Sequence, residues 1–353
     1  MRGVSGDDIR RELERGNFSR EVLTAALAIT NENEFMPIFE LSESICEAYY
    51  GKSVFIRGII EFTNRCRKNC RYCGIRRENG TVERYRLTED EVLSAVDRLV
   101  REDIHTVVLQ GGEDPASDDH LIDLIRSIRE RYDMAVTLSV GERPFDVYER
   151  MRHAGADRFL LRIETTDPVL FSELHPDDDL AYRKHCLTSL KELWYEVGSG
   201  IMVGLPGQTI ESIVNDLFYF MDLRPDMIGI GPFLPHKDTP LGDEKPRELF
   251  LTLKVMALIR ITLRDVNIPA TTAMGTLSSD GRIKAMRYGA NVFMPNYTPS
   301  TYRGKYLLYD NKICVNEDCT NACAVAAIHA AGKVFAPGKG GRHRTPELNP
   351  ALE

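Results

Sequence analysis

Short apolar runs alternate with longer segments of helical periodicity from residue 54 onward. The runs are continuous and rich in Val and Ile, which is typical of parallel strands buried on both faces. Strands are predicted over residues 54–62, 106–110, 135–140, 158–164, 199–204, 227–231, 268–272 and 291–294. Helices are predicted between them over residues 89–101, 119–131, 145–154, 181–195, 210–221, 248–263 and 279–288, with an eighth over 316–330.

This strand and helix order predicts the α/β class and a complete (β/α)8 TIM-type barrel rather than a doubly wound open sheet. Residues 1–50 are expected to form an N-terminal helical cap, and residues 51–312 the barrel. Residues 313–353 are expected to form a C-terminal extension that carries the last barrel helix and a tail. The tail after Gly332 is rich in Gly, Pro and basic residues, and it is predicted to be a loop or an extended arm.

Composition narrows the class of protein. Apolar residues make up 43% and charged residues 28% of the chain, an ordinary globular balance, and the net charge of −8 argues against nucleic-acid or membrane partners. No segment resembles a signal peptide, and the most apolar stretch, 251–263, falls short of the ~20 residues that span a bilayer. A cytoplasmic protein is therefore expected, in which clustered cysteines indicate metal binding more often than disulfides.

Three cysteines directly follow the first predicted strand: Cys66, Cys70 and Cys73. A short loop can direct three thiolates at one metal centre. Three closely spaced thiolates suit an iron–sulfur cluster better than structural zinc, because structural zinc takes four protein ligands. A 4Fe–4S cluster with three thiolates leaves one iron open to a ligand from outside the protein. A zinc site completed by a distant residue, or three unrelated buried cysteines, remain as alternatives.

Other strand ends also carry polar or glycine-rich residues, which in a barrel would meet at the carboxyl face. Gly111 and Gly112 allow a ligand close to the backbone, and Glu113 can accept from an ammonium group. Arg162 and Glu164 are two residues apart and therefore share one side of a strand, either as a structural ion pair or as ligand-binding groups.

A second group of cysteines, Cys314, Cys319 and Cys323, lies near the last predicted helix. These residues suit either a second iron–sulfur cluster or a site without metal.

Basic residues crowd the first cysteine group: Arg65, Arg67, Lys68, Arg71, Arg76 and Arg77. They are either solvated charges or a local positive field that attracts an acidic electron donor such as a ferredoxin or flavodoxin.

The Cys-x3-Cys-x2-Cys loop resembles the radical S-adenosylmethionine (SAM) superfamily. A longer set of segments resembles one family within it, the HydE maturases of FeFe hydrogenase, nearly collinearly from residue 51 to residue 344. The segments are EFTNRCRKNCRYCG, VLQGGEDP, ADRFLLRIET, MVGLPGQT, GIGPFLPHKDTPL, IPATTAMGT and GANVFMPNYTPS. Biotin synthase and methylornithine synthase share the fold and the loop but not this set of strand ends.

The resemblance implies an oxygen-sensitive enzyme that reductively cleaves SAM to a 5′-deoxyadenosyl radical. In this family the radical acts on a small cysteine-derived substrate, a cysteine-bound iron carbonyl–cyanide complex, during assembly of the hydrogenase active site, with other maturases as partners. Implied SAM-binding residues are Tyr72, Gln110, Gly111, Gly112, Glu113, Glu164, Arg183, Met202 and Gly204. Implied substrate-binding residues are Arg57, Arg162, Thr271, Thr272 and Tyr306.

The sequence departs from the family pattern at three places. Gly111 stands where some members have Ser, Ile163 stands where some have His, and the C-terminal cysteines depart from the spacing Cys-x7-Cys-x2-Cys. An alternative is therefore a related radical SAM enzyme with a different small thioether, amino-acid or metallocofactor-precursor substrate, in an organism without FeFe hydrogenase. An alternative from another class is a non-catalytic iron–sulfur or zinc protein.

Overall fold

The computed structural model describes residues 5–313 and 321–342. Its strands are β1 Ser53–Ile56, β2 Gly58–Thr63, β3 Thr106–Gly111, β4 Ala135–Ser139, β5 Arg158–Leu160, β6 Glu196–Val203, β7 Met227–Pro232, β8 Pro269–Ala270, β9 Val292–Phe293 and β10 Val334–Ala336. Its helices are α1 Gly6–Glu14, α2 Arg20–Ala28, α3 Glu32–Tyr50, α4 Glu89–Arg101, α5 Asp118–Arg131, α6 Phe145–His153, α7 Pro168–Leu174, α8 Leu180–Glu192, α9 Ile210–Leu223, α10 Leu249–Leu263, α11 Thr272–Leu277, α12 Gly281–Arg287, α13 Ser300–Arg303 and α14 Asn321–Ala330.

All strand pairs are parallel, which confirms the predicted α/β class. One sheet runs β2-β3-β4-β5-β6-β7 and the other β10-β1-β9-β8. Single bridges connect them, between Met227 and Asn267 and between Ile59 and Asn296. Because the pairing passes from β7 through β8 and β9 to β2, the strand order is consistent with the predicted closed barrel.

Among the described residues, three helices precede the first strand, and α2 and α3 pack against the barrel helices α9 and α10. Ser5 and Asp8 form a capping box at the start of α1, which satisfies backbone N–H groups that a helix leaves free. Phe39 of α3 stacks on Tyr288 at 3.9 Å between ring centroids. Lys254 of α10 donates to the carbonyl oxygen of Ile29 at 2.6 Å, which joins the end of α2 to the barrel helices.

The prediction of a loop or extended arm after Gly332 is wrong in part, because residues 334–336 form β10, paired in parallel with β1. The chain then crosses the amino ends of the strands. Thr106 Oγ1 donates to the carbonyl oxygen of Lys339 at 2.9 Å, and Arg342 pairs with Asp265 at 2.6 Å. The tail therefore forms part of the floor of the barrel. No local pattern predicts this arrangement, since the partners of the tail lie far away along the chain.

Two predicted strands keep less than half of their expected length. The run at 158–164 is a regular strand only to Leu160, and Glu164, with a φ of 62°, makes a single parallel bridge to Ile201. The run at 268–272 yields only Pro269–Ala270, since Thr272 begins α11. Among the residues described, no helix is both long and apolar enough to cross a membrane.

Candidate active site

The cysteine loop, residues 64–74, begins where β2 ends, at the carboxyl end of the strands. The Arg84 guanidinium donates to the carbonyl oxygens of Asn64 and Ile75, each at 2.7 Å, and so fixes both ends of the loop. This anchoring holds the three cysteines close together: Cys66, Cys70 and Cys73.

The three thiols are free and share one environment. Burial raises the pKa of each thiol, that of Cys73 to about 12, and the neighbouring thiols add to the shift at Cys70 and Cys73. The N–H of Glu113 donates to Cys66 Sγ at 3.3 Å, a bond that stabilises a thiolate. Bound iron would replace the thiol protons, so this donor set fits a metal–thiolate centre.

No three His, Cys, Asp or Glu side chains within residues 5–313 and 321–342 converge on a single metal ion. In a 4Fe–4S cluster each thiolate binds a different iron atom, so the sulfur atoms stand further apart than the ligands of one ion. Three neighbouring thiols of this kind fit the cluster that the sequence predicts.

The end of β3 lies directly against the cysteine loop. A Cβ atom at Gly112 would come within 2.2 Å of the Arg65 carbonyl oxygen, so only glycine permits this contact. Glu113 is buried; its carboxylate accepts from Arg67 Nε and from the N–H of Glu142, each at 2.8 Å. The sequence-predicted Gly112 and Glu113 are thus next to Cys66.

A buried charge network continues from Glu113. Lys68 Nζ is 3.5 Å from the Glu113 carboxylate and 3.4 Å from that of Glu142, and it contacts Asp178. Burial alone would lower the pKa of Lys68, but these carboxylates raise it overall. Six residues take part in these contacts and are called the charge network below: Arg67, Lys68, Glu113, Glu142, Asp178 and Arg183.

Arg183 lies at the centre of this network. Its guanidinium contacts Glu142, pairs with Asp178 at 2.9 Å and donates to the Arg162 carbonyl oxygen at 2.7 Å. Sequence reasoning identified Arg183 and Glu113 but missed Glu142 and Asp178. Neither carboxylate belongs to a recognisable spacing, because each reaches the network from a separate loop.

The basic residues around the first cysteine group are only partly exposed to solvent. Lys68 points into the charge network, and its side chain is 12% exposed. Arg76, equally buried, pairs with Glu78 at 3.2 Å. Arg65 and Arg71 are exposed, and neither guanidinium contacts a carboxylate within the part of the chain that the structure describes.

Arg162 and Glu164 form an ion pair at 3.1 Å, one of the two alternatives, although neither residue lies in a strand as their spacing assumed. Arg162 also donates to the Ile201 carbonyl oxygen at 2.7 Å, while its Nε is buried without a hydrogen-bond partner among the described residues. Burial raises the pKa of Glu164, and Arg162 opposes that shift. This pair connects the charge network to the barrel interior.

Tyr72 and Met202 meet in a small apolar cluster with Leu170, Leu205 and Phe233. Gly204 follows with a φ of 87°, and a Cβ atom there would come within 2.6 Å of Arg247. The structure therefore places Met202 near Tyr72 of the cysteine loop, whereas Gly204 lies next to Arg247.

The remaining predicted residues surround the same end of the barrel. Gln110 Nε2 is 3.4 Å from the hydroxyl of buried Tyr306, and Thr271 Oγ1 donates to the Ile230 carbonyl oxygen at 3.2 Å. Thr272 Oγ1 accepts from Arg282 at 2.7 Å. Sequence reasoning missed Arg282, a guanidinium whose pKa burial lowers to about 10.

Arg57 is not brought together with these residues. It precedes β2 at the amino end of the barrel, where it donates to the Gly340 carbonyl oxygen at 2.7 Å and burial lowers its pKa to about 9. It lines a small cavity there with Thr137, Arg158 and Glu196. Arg57 lies in the amino-terminal half of the single strand predicted over residues 54–62, whereas Cys66 follows its carboxyl end; the structure divides that strand at Arg57 into β1 and β2.

The second cysteine group is only partly described. Cys314 and Cys319 lie outside the described residues, and Cys323 is exposed near the start of α14.

Comparisons with known proteins agree with this geometry. A family model for the Radical SAM superfamily matches residues 60–220. The chain is 49% identical over 344 residues to the FeFe hydrogenase maturase subunit HydE of Thermotoga maritima, covering 97% of this chain and 99% of that protein. It is 27% identical over 283 residues to a 3-methylornithine synthase of Methanosarcina acetivorans, covering 79% and 80% respectively.

Two solved structures share the fold. A crystal structure of methylornithine synthase matches with a TM-score of 0.80 at 23% identity, covering 93% of this chain and 97% of that one. The structure of HydG, a maturase of FeFe hydrogenase, matches with a TM-score of 0.80 at 19% identity, covering 94% and 76%. At these identities the likeness shows the fold alone.

A parallel α/β fold with three cysteines after its first long strand defines a radical SAM enzyme, for which the superfamily implies a 4Fe–4S cluster and SAM. Within that superfamily, the chain belongs to the family of the FeFe hydrogenase maturase subunit HydE. The family that the sequence resembles is thereby confirmed.

Proposed function

We propose that this enzyme acts in FeFe-hydrogenase maturation on a small, anionic, cysteine-derived substrate that carries an iron carbonyl–cyanide unit. The observation that carries the proposal is the 49% identity to HydE of Thermotoga maritima across nearly the whole of both chains. Cys66, Cys70 and Cys73 would hold the cluster, which supplies the electron for cleavage of SAM to methionine and a 5′-deoxyadenosyl radical.

The charge network supplies a site for the methionyl end of SAM. Its three cations, Arg67, Lys68 and Arg183, balance three carboxylates, Glu113, Glu142 and Asp178. A zwitterionic amino acid adds no net charge to such a network. The methionyl amino group would donate to Glu113 and the methionyl carboxylate would accept from Arg183, while Tyr72 and Met202 offer an apolar surface to the adenosyl group.

Arg162, Thr271, Thr272 and Tyr306 would bind the substrate. Because Thr272 Oγ1 accepts from Arg282, its own proton is free to be donated to a ligand. Arg282 is buried over the Phe293 ring at 4.5 Å, and no carboxylate within residues 5–313 and 321–342 contributes to its pKa shift. A buried cation of this kind favours an anion nearby. Arg57 lies at the amino end of the barrel and would not contact a substrate bound by these residues.

Anaerobic turnover tests the proposal. The reconstituted enzyme, given SAM and reductant, is expected to form 5′-deoxyadenosine or an adenosylated product faster when a cysteine-bound iron carbonyl–cyanide complex is added. Thr272→Val is the matched variant, since it keeps shape and removes the hydroxyl, and it should weaken that stimulation. Stimulation only by iron-free thioethers or amino acids would instead support the related enzyme with a different substrate.

We further propose that an acidic ferredoxin or flavodoxin docks at Arg65 and Arg71. Reversing both charges to Glu is expected to slow cluster reduction by such a donor about 10-fold at low ionic strength, with the difference shrinking as salt rises. Dithionite should reduce the variant at the normal rate. The control variant reverses Arg15 and Arg126 to Glu. Both residues are exposed and lie outside the cysteine loop, and the variant changes the net charge by the same amount. Equal rates and salt dependence in both variants would contradict the docking site.

A further inference from the structure

His175 is connected to the cysteine loop through the aromatic residue between its last two cysteines. The Tyr72 hydroxyl lies 3.0 Å from His175 Nε2, and His175 Nδ1 lies 3.1 Å from the Phe171 carbonyl oxygen. A carbonyl oxygen can only accept, so Nδ1 carries the hydrogen and Nε2 the lone pair. The direction of the other bond follows: the Tyr72 hydroxyl donates to His175.

The histidine is itself held rigidly. It is 2% exposed, and the centroid of its ring lies 4.4 Å from that of Phe171. Its backbone N–H also donates to the Phe171 carbonyl oxygen, at 2.9 Å. The backbone of the cysteine loop joins the same helix end, since the N–H of Arg71 donates to the Leu174 carbonyl oxygen at 2.9 Å. The end of α7 and the cysteine loop are therefore connected by both main chain and side chains.

The surroundings make this hydroxyl contact important. Tyr72 packs among the apolar side chains of Leu170, Met202 and Leu205, where a buried hydroxyl without an acceptor is costly. Burial and the charge of Arg183 lower the pKa of His175 to about 4, so the ring is neutral and remains an acceptor at neutral pH. Without that acceptor, the phenol ring would have to rotate towards another partner.

We infer that His175 is a positioning residue for SAM cleavage: it fixes the Tyr72 ring in the orientation that receives the adenosyl group beside the cysteine loop. This inference rests on the proposed role of Tyr72 at the SAM site. It assigns no metal-binding and no proton-transfer role to His175, whose effect passes through Tyr72.

A matched pair of variants separates positioning from packing. In His175→Gln the side-chain oxygen reaches the place of Nε2 and can still accept from Tyr72. In His175→Asn the amide reaches only the place of Nδ1, so the Phe171 contact is kept and the Tyr72 contact is lost. His185→Gln changes an exposed histidine on α8 and serves as the control.

The measurements use reconstituted enzyme with equal iron and sulfide content: SAM affinity from titration of the reduced cluster's EPR signal, and the rate of 5′-deoxyadenosine formation. His175→Asn is expected to weaken SAM binding about 3- to 10-fold, the value of one hydrogen bond, while His175→Gln stays near the wild type. In a Tyr72→Phe background, His175→Asn should have no further effect.

Three results would overturn the inference: unchanged SAM affinity in His175→Asn, equal losses in the Asn and Gln variants, or the same loss with and without Tyr72→Phe. Each of these leaves the proposed function intact, because the wild type still binds and cleaves SAM. Failure of the wild type itself to bind SAM would instead contradict the proposed function.

Discussion

Cys70→Ala is expected to abolish SAM cleavage, with at least a ~100-fold loss of 5′-deoxyadenosine formation, because even residues behind the ligands of a metal site typically contribute 10- to 100-fold. Cys70 lies in the middle of the cysteine loop, with its thiol buried next to those of Cys66 and Cys73. Alanine removes one of three thiolates, and a 4Fe–4S cluster cannot be held by two at this site. Iron and sulfide content and product formation should therefore fall together.

Cys186→Ala is the matched control for this variant. Cys186 is also buried, but it lies on α8 outside the cysteine loop, and its Sγ donates to the Arg143 carbonyl oxygen at 3.9 Å. Its replacement should leave a small cavity and a full complement of iron. Retention of iron and of SAM cleavage by Cys70→Ala would refute the assignment of the cluster ligands.

Arg183→Met is expected to cost about 3–5 kcal/mol in the free energy of unfolding at neutral pH. The side chains of Glu142 and Asp178 are 2% and 1% exposed, and both depend on the Arg183 guanidinium. Methionine keeps most of the volume but leaves these carboxylates to Lys68 alone. The loss should appear in urea unfolding of the anaerobically purified protein, and SAM affinity should fall as well.

Arg150→Met provides the comparison for an ordinary ion pair. Arg150 pairs with Asp119 at 2.5 Å, but both side chains are solvent-exposed, so its removal should change the free energy of unfolding far less than the loss of Arg183 does. An equal, small cost for both variants would show that the charge network does not stabilise the fold. The difference between the two variants measures the effect of burial.

Local chemistry explains what the sequence predicted. Thr88 and Glu91 form a capping box, and α4 begins and ends where the pattern places it, at Glu89 and Arg101. The cysteine loop follows a buried strand, and Arg162 and Glu164, two residues apart, form an ion pair. Each of these features depends on residues that are close together along the chain.

Tertiary structure explains what the sequence missed. Asp178 meets Lys68 across 110 positions, and Arg282 reaches Thr272 only because α11 and α12 fold against each other. His175 has no distinguishing neighbours in the sequence, and its relation to Tyr72 exists only because α7 packs against the cysteine loop. No periodicity or motif encodes these contacts.

The central claim is that Cys66, Cys70 and Cys73 hold a cluster whose remaining iron binds the methionyl end of SAM at the carboxyl end of the strands. Electron–nuclear double resonance tests it directly, on the reduced, reconstituted enzyme with SAM labelled with ¹⁵N in the amino group and ¹⁷O in the carboxylate. Hyperfine coupling is expected from both labels; it should be lost in Cys70→Ala and weakened in Arg183→Met. Bound SAM without coupling from either label would contradict it.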